Sequence, residues 1–123
     1  MHRIATATSD LEINVDHAAE STVVCLRGRL NIDSSPALRN RFLDLLREQS
    51  PETMVVDLTA VSYIDASGIA TLVEALKMSC TRGSAFHLKG LQGGLLHLFE
   101  VTGVLSLFEM NGCISPSSAS KVS

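Results

Sequence analysis

The chain has 123 residues, of which 46% are hydrophobic and 19% charged, with a net charge of −3 and a pI near 5.7. One domain of this size buries a genuine core without metal or disulfide staples, and such a composition excludes a disordered chain. The acidic balance, a single Tyr, no Trp and no Lys/Arg run exclude nucleic acid as the main partner.

Residues 1–10 are small and polar and are expected to form a flexible N-terminus. Leu11, Ile13 and Val15 alternate with Glu12, Asn14 and Asp16, the pattern of a strand with one wet face. After a turn over residues 17–21, Thr22 to Leu26 begin a second strand that ends near Gly28, Arg29 and Leu30, which predicts an antiparallel hairpin. Asp33, Ser34, Ser35 and Pro36 form a helix start, with a Ser cap and Pro at the first helical position. Leu38, Phe42, Leu45 and Leu46 give that helix its buried stripe, and Gln49, Ser50 and Pro51 stop it.

Residues 53–80 are the centre of the chain. Met54, Val55, Val56 and Leu58 read as a buried strand over residues 53–59, followed by a polar break and a tight corner at residues 64–68. Beyond the corner Ile69, Leu72, Val73 and Leu76 fall at helical spacing, so residues 67–80 are expected to be an amphipathic helix. Residues 85–88 predict a short strand and residues 91–101 a third helix with Leu95, Leu98 and Phe99 inward. Gly103 is placed for a left-handed helix end, and residues 104–110 predict a last edge strand. Residues 113–123 are rich in Ser and are expected to be a disordered tail. Alternation of the last three strands with helices predicts parallel pairing. The expected fold is α/β: a mixed sheet of about five strands, an opening antiparallel hairpin and then β/α units, with three to four helices on it, spanning residues 11–112.

The corner puts the Asp65 carboxylate, the Ser67 hydroxyl and the free amides around Gly68 at a helix N-terminus, a place that suits an anionic group. The plainer reading is a helix cap, worth about 1 kcal/mol. Cys25, Cys80 and Cys113 are far apart and lack a C-x-x-C pair; Cys25 and Cys80 are expected to be core-type residues of a reducing compartment. His2, His17, His87 and His97 show no ligand spacing, so no metal or other cofactor is expected. No apolar run has signal-peptide or membrane-spanning length, which predicts a cytoplasmic protein without membrane insertion. Catalysis is not expected. The Gly-x-Ser-x-Gly elbow is missing around Ser67, and Gly90, Gly93 and Gly94 fit neither a phosphate-loop nor a dinucleotide spacing.

In their order, LRGRLNIDSSPALRNRF, VVDLTAVSYIDASGIATLVEAL and LFEVTGVLSLF resemble the STAS domain family, named for sulfate transporters and anti-sigma-factor antagonists. The resemblance covers about residues 11–112. It implies a non-catalytic module, of the single-domain anti-sigma-factor antagonist type, that binds an anti-sigma factor with serine-kinase activity and releases it on phosphorylation. The alternative it leaves open is a STAS subunit of a bacterial transport complex of the lipid-transport ABC type, docking on a transporter subunit. By the resemblance the partner-binding residues are Asp65, Ala66, Ser67 and Gly68, then Ala70, Glu74 and Lys77 on the outward helix face, flanked by Asn31, Asp33 and Ser34. The protein is expected to be a monomer or weak homodimer. Two positions depart from the family pattern. The residue after the corner Asp, the usual phosphate acceptor, is Ala66, and the acidic residue usual after the second strand is Asn31. Ser67 is then the candidate phosphorylation site; a constitutively competent protein and a branch without a kinase cycle are the other two outcomes.

Overall fold

This computed structural model describes residues 2–7 as backbone and residues 10–112 in full. The chain opens with strand β1 (His2–Ala7), followed by β2 (Leu11–Ala18) and β3 (Ser21–Leu30). Helix α1 (Ser35–Glu48) leads to β4 (Thr53–Ile64), and α2 (Ala66–Thr81) leads to β5 (Ala85–Lys89). Helices α3 (Gly93–Val101) and α4 (Val104–Met110) close the described chain. The five strands form one sheet in sequence order, antiparallel from β1 to β3 and parallel from β3 to β5.

The mixed sheet and its helices are those expected, but two elements differ. Residues 2–7, expected to be flexible, pair with β2 from His2 against His17 to Ala7 against Glu12. Backbone ladder bonds hold this edge strand, and a short polar segment carries little sequence signal for them. Residues 104–110 are a helix rather than an edge strand. Seven residues fit either period, and the helix wins because it brings Phe108 fully inside, 5.9 Å from Phe99 and 6.4 Å from Phe86 between ring centroids. Gly103, at φ 79°, takes the expected left-handed conformation and lets α4 turn away from α3. The expected tail, residues 113–123, lies outside the described residues.

The core lies on one side of the sheet. Ile13, Val15, Val24, Leu26, Met54, Val56, Phe86 and Leu88 meet Phe42, Leu72, Leu76, Phe99 and Phe108 from the helices. Phe42 meets Phe86 edge-on at 6.2 Å. The other sheet face carries Asn14, Cys25, Asp57 and Lys89 in one row across four strands, and Asp16, Val23, Val55 and His87 in the next. Cys25 on that face is only partly buried and Cys80 is exposed, so neither is the core-type residue expected. Strand alternation explains Cys25: its neighbours Val24 and Leu26 take the inward positions.

Strand β4 runs five residues past its expected end. The polar break is a bulge: Cys25 pairs with Asp57 but Arg27 with Ala60, and a second slip follows between Gly28 and Arg29. Asp57 Oδ1 accepts from the Thr59 amide at 2.9 Å and its hydroxyl at 2.6 Å, which holds the bulge closed. The longer strand delivers Ile64 beside Leu30, so β3 and β4 end together and their following loops meet.

Candidate functional site

Both loops leave the carboxyl ends of neighbouring parallel strands, where side chains from two connections converge. The Asp65 amide donates to the Leu30 carbonyl at 3.2 Å and ties them at the base. Asp65 is the N-cap of α2, in extended conformation, and its Oδ1 accepts from the Gly68 amide at 3.1 Å. The same oxygen receives the Ser67 hydroxyl at 2.6 Å. That hydroxyl, with smaller help from backbone amides including those of Gly68 and Ile32, holds the Asp65 carboxyl below the usual carboxylate range. The helix-cap reading is the one this geometry realises: the Gly68 amide, expected to be free for an anionic group, is taken by the Asp65 carboxylate.

Gly68 is buried beneath this corner. A Cβ there would stand 2.7 Å from Ile64 Cγ1 and 2.8 Å from the Leu30 carbonyl oxygen, so only glycine lets the helix start this close to the strand ends. Ala66 is exposed, while Ser67 is partly buried and turned toward α1, where its oxygen lies 3.3 Å from Ser35 Oγ.

Residues 31–35 form a turn built on Asn31. Its side-chain carbonyl accepts from the amides of Asp33 at 3.0 Å and Ser34 at 3.1 Å, and its NH2 donates to Asp10 Oδ2 at 3.1 Å. An acidic residue at position 31 could take the first two bonds but would set a carboxylate against Asp10. The departure to Asn thus has a local physical reason. Ser34 is the N-cap of α1, yet its hydroxyl donates to the Arg29 carbonyl at 2.9 Å and accepts from the Asn31 amide at 2.9 Å instead of capping. Pro36 sits one position later than expected, second in the helix. Asp33 and Ile32 are both exposed, Ile32 at 71%.

On the outer face of α2, Ala70 and Lys77 are exposed and Glu74 half-exposed. Glu74 receives Arg39 Nε of α1 at 2.9 Å, and this bond, then the charge of Arg39, holds the Glu74 carboxyl below its ordinary range. The structure thus brings Asp65, Ser67 and Gly68 together with the loop carrying Asn31, Asp33 and Ser34. Ala70, Glu74 and Lys77 run away from this junction along the helix.

A groove of about 500 Å³ opens beside the corner, lined by Tyr63, Ile64, Asp65, Ala66, Ile69, Ala70, Leu98 and Thr102. A hollow of about 410 Å³ continues it past Tyr63, Leu95 and Val101. Tyr63 is 42% and Val101 64% exposed, and Arg29 lies over the Tyr63 ring at 4.6 Å. Sequence reasoning missed Ile32, Tyr63, Leu98 and Val101. The available signal was α3 itself, GGLLHLFEV, with more apolar residues than one buried stripe needs. Another hollow, of about 350 Å³, lies on the uncovered sheet face between Glu12, Asn14, Cys25 and Arg27. Among the described residues no group of three or more His, Cys, Asp or Glu is placed to hold a metal ion. No single described helix is long and apolar enough to cross a membrane.

A family model described as "Mlab, STAS domain" matches residues 13–109. The anti-sigma-B factor antagonist of Bacillus subtilis is 26% identical over 102 residues, 83% of this chain and 92% of that protein. That of Listeria monocytogenes is 30% identical over 87 residues, 71% of this chain and 75% of that protein. Among solved structures, an anti-sigma factor antagonist from Mycobacterium paratuberculosis aligns with a TM-score of 0.74 at 20% identity, covering 90% of each chain. With a family model spanning most of its length and the two-loop junction in place, the chain belongs to the STAS domain family.

Proposed function

We propose that the protein is an anti-sigma-factor antagonist that works by docking, without catalysis, on an anti-sigma factor that is itself a serine kinase. The observation that carries this is the continuity of one surface: the corner at residues 65–67, the exposed loop residues Ile32 and Asp33 beside Asn31, the α2 face of Ala70, Glu74 and Lys77, and the apolar groove beside Ala66, with Ser34 and Gly68 buried beneath it. An exposed apolar patch rimmed by charge is the usual make-up of a protein-docking site. The names of both curated relatives favour this reading over a transport-complex subunit.

Ser67 is the single hydroxyl of the corner and is the assigned phosphate acceptor. Transfer of the γ-phosphoryl from a nucleoside triphosphate would form the Oγ–P bond, release the diphosphate and pass the hydroxyl proton to Asp65, which already accepts it in a hydrogen bond. Once Asp65, whose carboxyl lies below the usual range, has released that proton to water, about −1.5 to −2 charges would stand beside an ionised carboxylate. Incubation with a kinase-type anti-sigma factor and ATP is expected to place one phosphate on Ser67 and to dissolve the complex. A complex that forms while phosphate is absent or elsewhere removes the switch and keeps the docking. Capture of permease and ATPase subunits from native extract, with no anti-sigma factor, establishes the transport reading instead.

A further inference from the structure

The hydroxyls of Ser35 and Ser67 face each other at 3.3 Å across the seam between α1 and the corner. Each carries one proton. That of Ser67 goes to Asp65 Oδ1 at 2.6 Å, and that of Ser35 to the Asn31 carbonyl at 2.7 Å. Three oxygen–oxygen contacts share two protons, and the two short ones take the better share. The third, the longest, can draw a proton from either oxygen only in competition with them, so it is the weakest of the three. Ser35 is only 6% exposed, so its side chain is enclosed by protein and not open to solvent. The seam shuts because Ser67 carries nothing larger than a hydrogen.

The Asn31 carbonyl that holds Ser35 Oγ also accepts the amides of Ser34 at 3.1 Å and Ser35 at 2.8 Å, so one oxygen gathers the end of the loop. Moving the Ser35 side chain strikes at that gathering point. We propose that Ser35 is a positioning residue that carries the state of Ser67 to the loop at residues 31–35. Any larger group on Ser67 pushes the Ser35 oxygen off the Asn31 carbonyl and loosens the turn that displays Ile32 and Asp33. The consequence for binding rests on the docking role proposed above; the mechanical link does not.

The test is residue-resolved hydrogen exchange on the whole protein without a partner. Ser67→Asn and Ser67→Asp are both expected to speed exchange of the Ser34 and Ser35 amides by about tenfold or more, while amides within α2 keep their protection. In a Ser35→Ala background, where the oxygen is gone, the same changes are expected to add less than about threefold. Unchanged loop exchange in both position-67 variants overturns the proposal. So does an acceleration of equal size with and without the Ser35 hydroxyl. Acceleration by Asp alone assigns the effect to charge against Asp65 and overturns it too. Ser67→Thr, which adds one methyl, carries the same comparison if the larger variants do not fold. Calorimetry with the anti-sigma factor separates the two layers: a loosened loop with unchanged affinity upholds the seam and removes the loop from the docking surface.

Discussion

Asp65 does two things with one oxygen, capping α2 through the Gly68 amide and receiving the Ser67 hydroxyl. Both bonds favour the ionised form, so its folded pKa lies below its unfolded one. The stability this brings is fully present above the unfolded pKa, about 3.9, and is lost as pH falls through the folded value. Asp65→Asn keeps a good cap but removes the charge. Denaturation followed from about pH 7 to about pH 2 should show the variant weaker at neutral pH and the gap closing in acid. A gap that stays constant would mean the ionised carboxylate contributes nothing. Beneath it, Gly68→Ala sets two effects against each other. Helix propensity favours Ala by about 1 kcal/mol. The new methyl would press on the Leu30 carbonyl at 2.8 Å, a backbone atom that cannot rotate aside, and such overpacking costs about 1–3 kcal/mol. The expected net result is a melting temperature lower by several degrees; a rise would show that the end of β3 yields freely.

At the scale of elements, α4 shows what a short window conceals. Residues 104–110 satisfy a strand period and a helix period alike, and the decision rests on Phe108, whose destination beside Phe99 and Phe86 is a tertiary fact. Phe108→Ala should cost about 3–5 kcal/mol, as for other fully buried aromatics. Met110→Ser, at a position 84% exposed on the same helix, should leave the denaturation midpoint within error. Equal effects would mean that α4 does not contribute to the core as a helix. The same limit applied at β4, where Asp57 and Thr59 read as the end of a strand because a bulge is polar and local while its partner register is not. Helices α1 and α2 were legible because their stripes, Leu38 to Leu46 and Ile69 to Leu76, each run for about two turns. The corner was legible as chemistry, since Asp, Ser and Gly in that order suit few other places. Its meeting with the Asn31 turn was not, because that depends on β3 and β4 ending level.

Across the whole molecule every described helix packs on one sheet face, and the docking features gather at one end of that layer. The surface there combines an apolar centre at Tyr63, Leu98 and Val101 with a charged rim at Asp33, Glu74 and Lys77. These parts should contribute differently to binding. Desolvated apolar anchors set how long a complex lasts, whereas rim charges mainly steer association and are screened by salt. Val101→Glu would place a charge in the groove at a position already 64% exposed, so folding should be unaffected. Its complex with the anti-sigma factor should dissociate about tenfold faster or more, with little change in salt dependence. Glu74→Arg gives up the contact with Arg39 and reverses a rim charge. It should slow association and alter its salt dependence, with a smaller change in dissociation. Stopped-flow or surface-based kinetics at two ionic strengths read both rates. If Val101→Glu binds and leaves as the unmodified protein does, the groove lies outside the interface, and the docking surface contracts to the corner, the Asn31 turn and the α2 face.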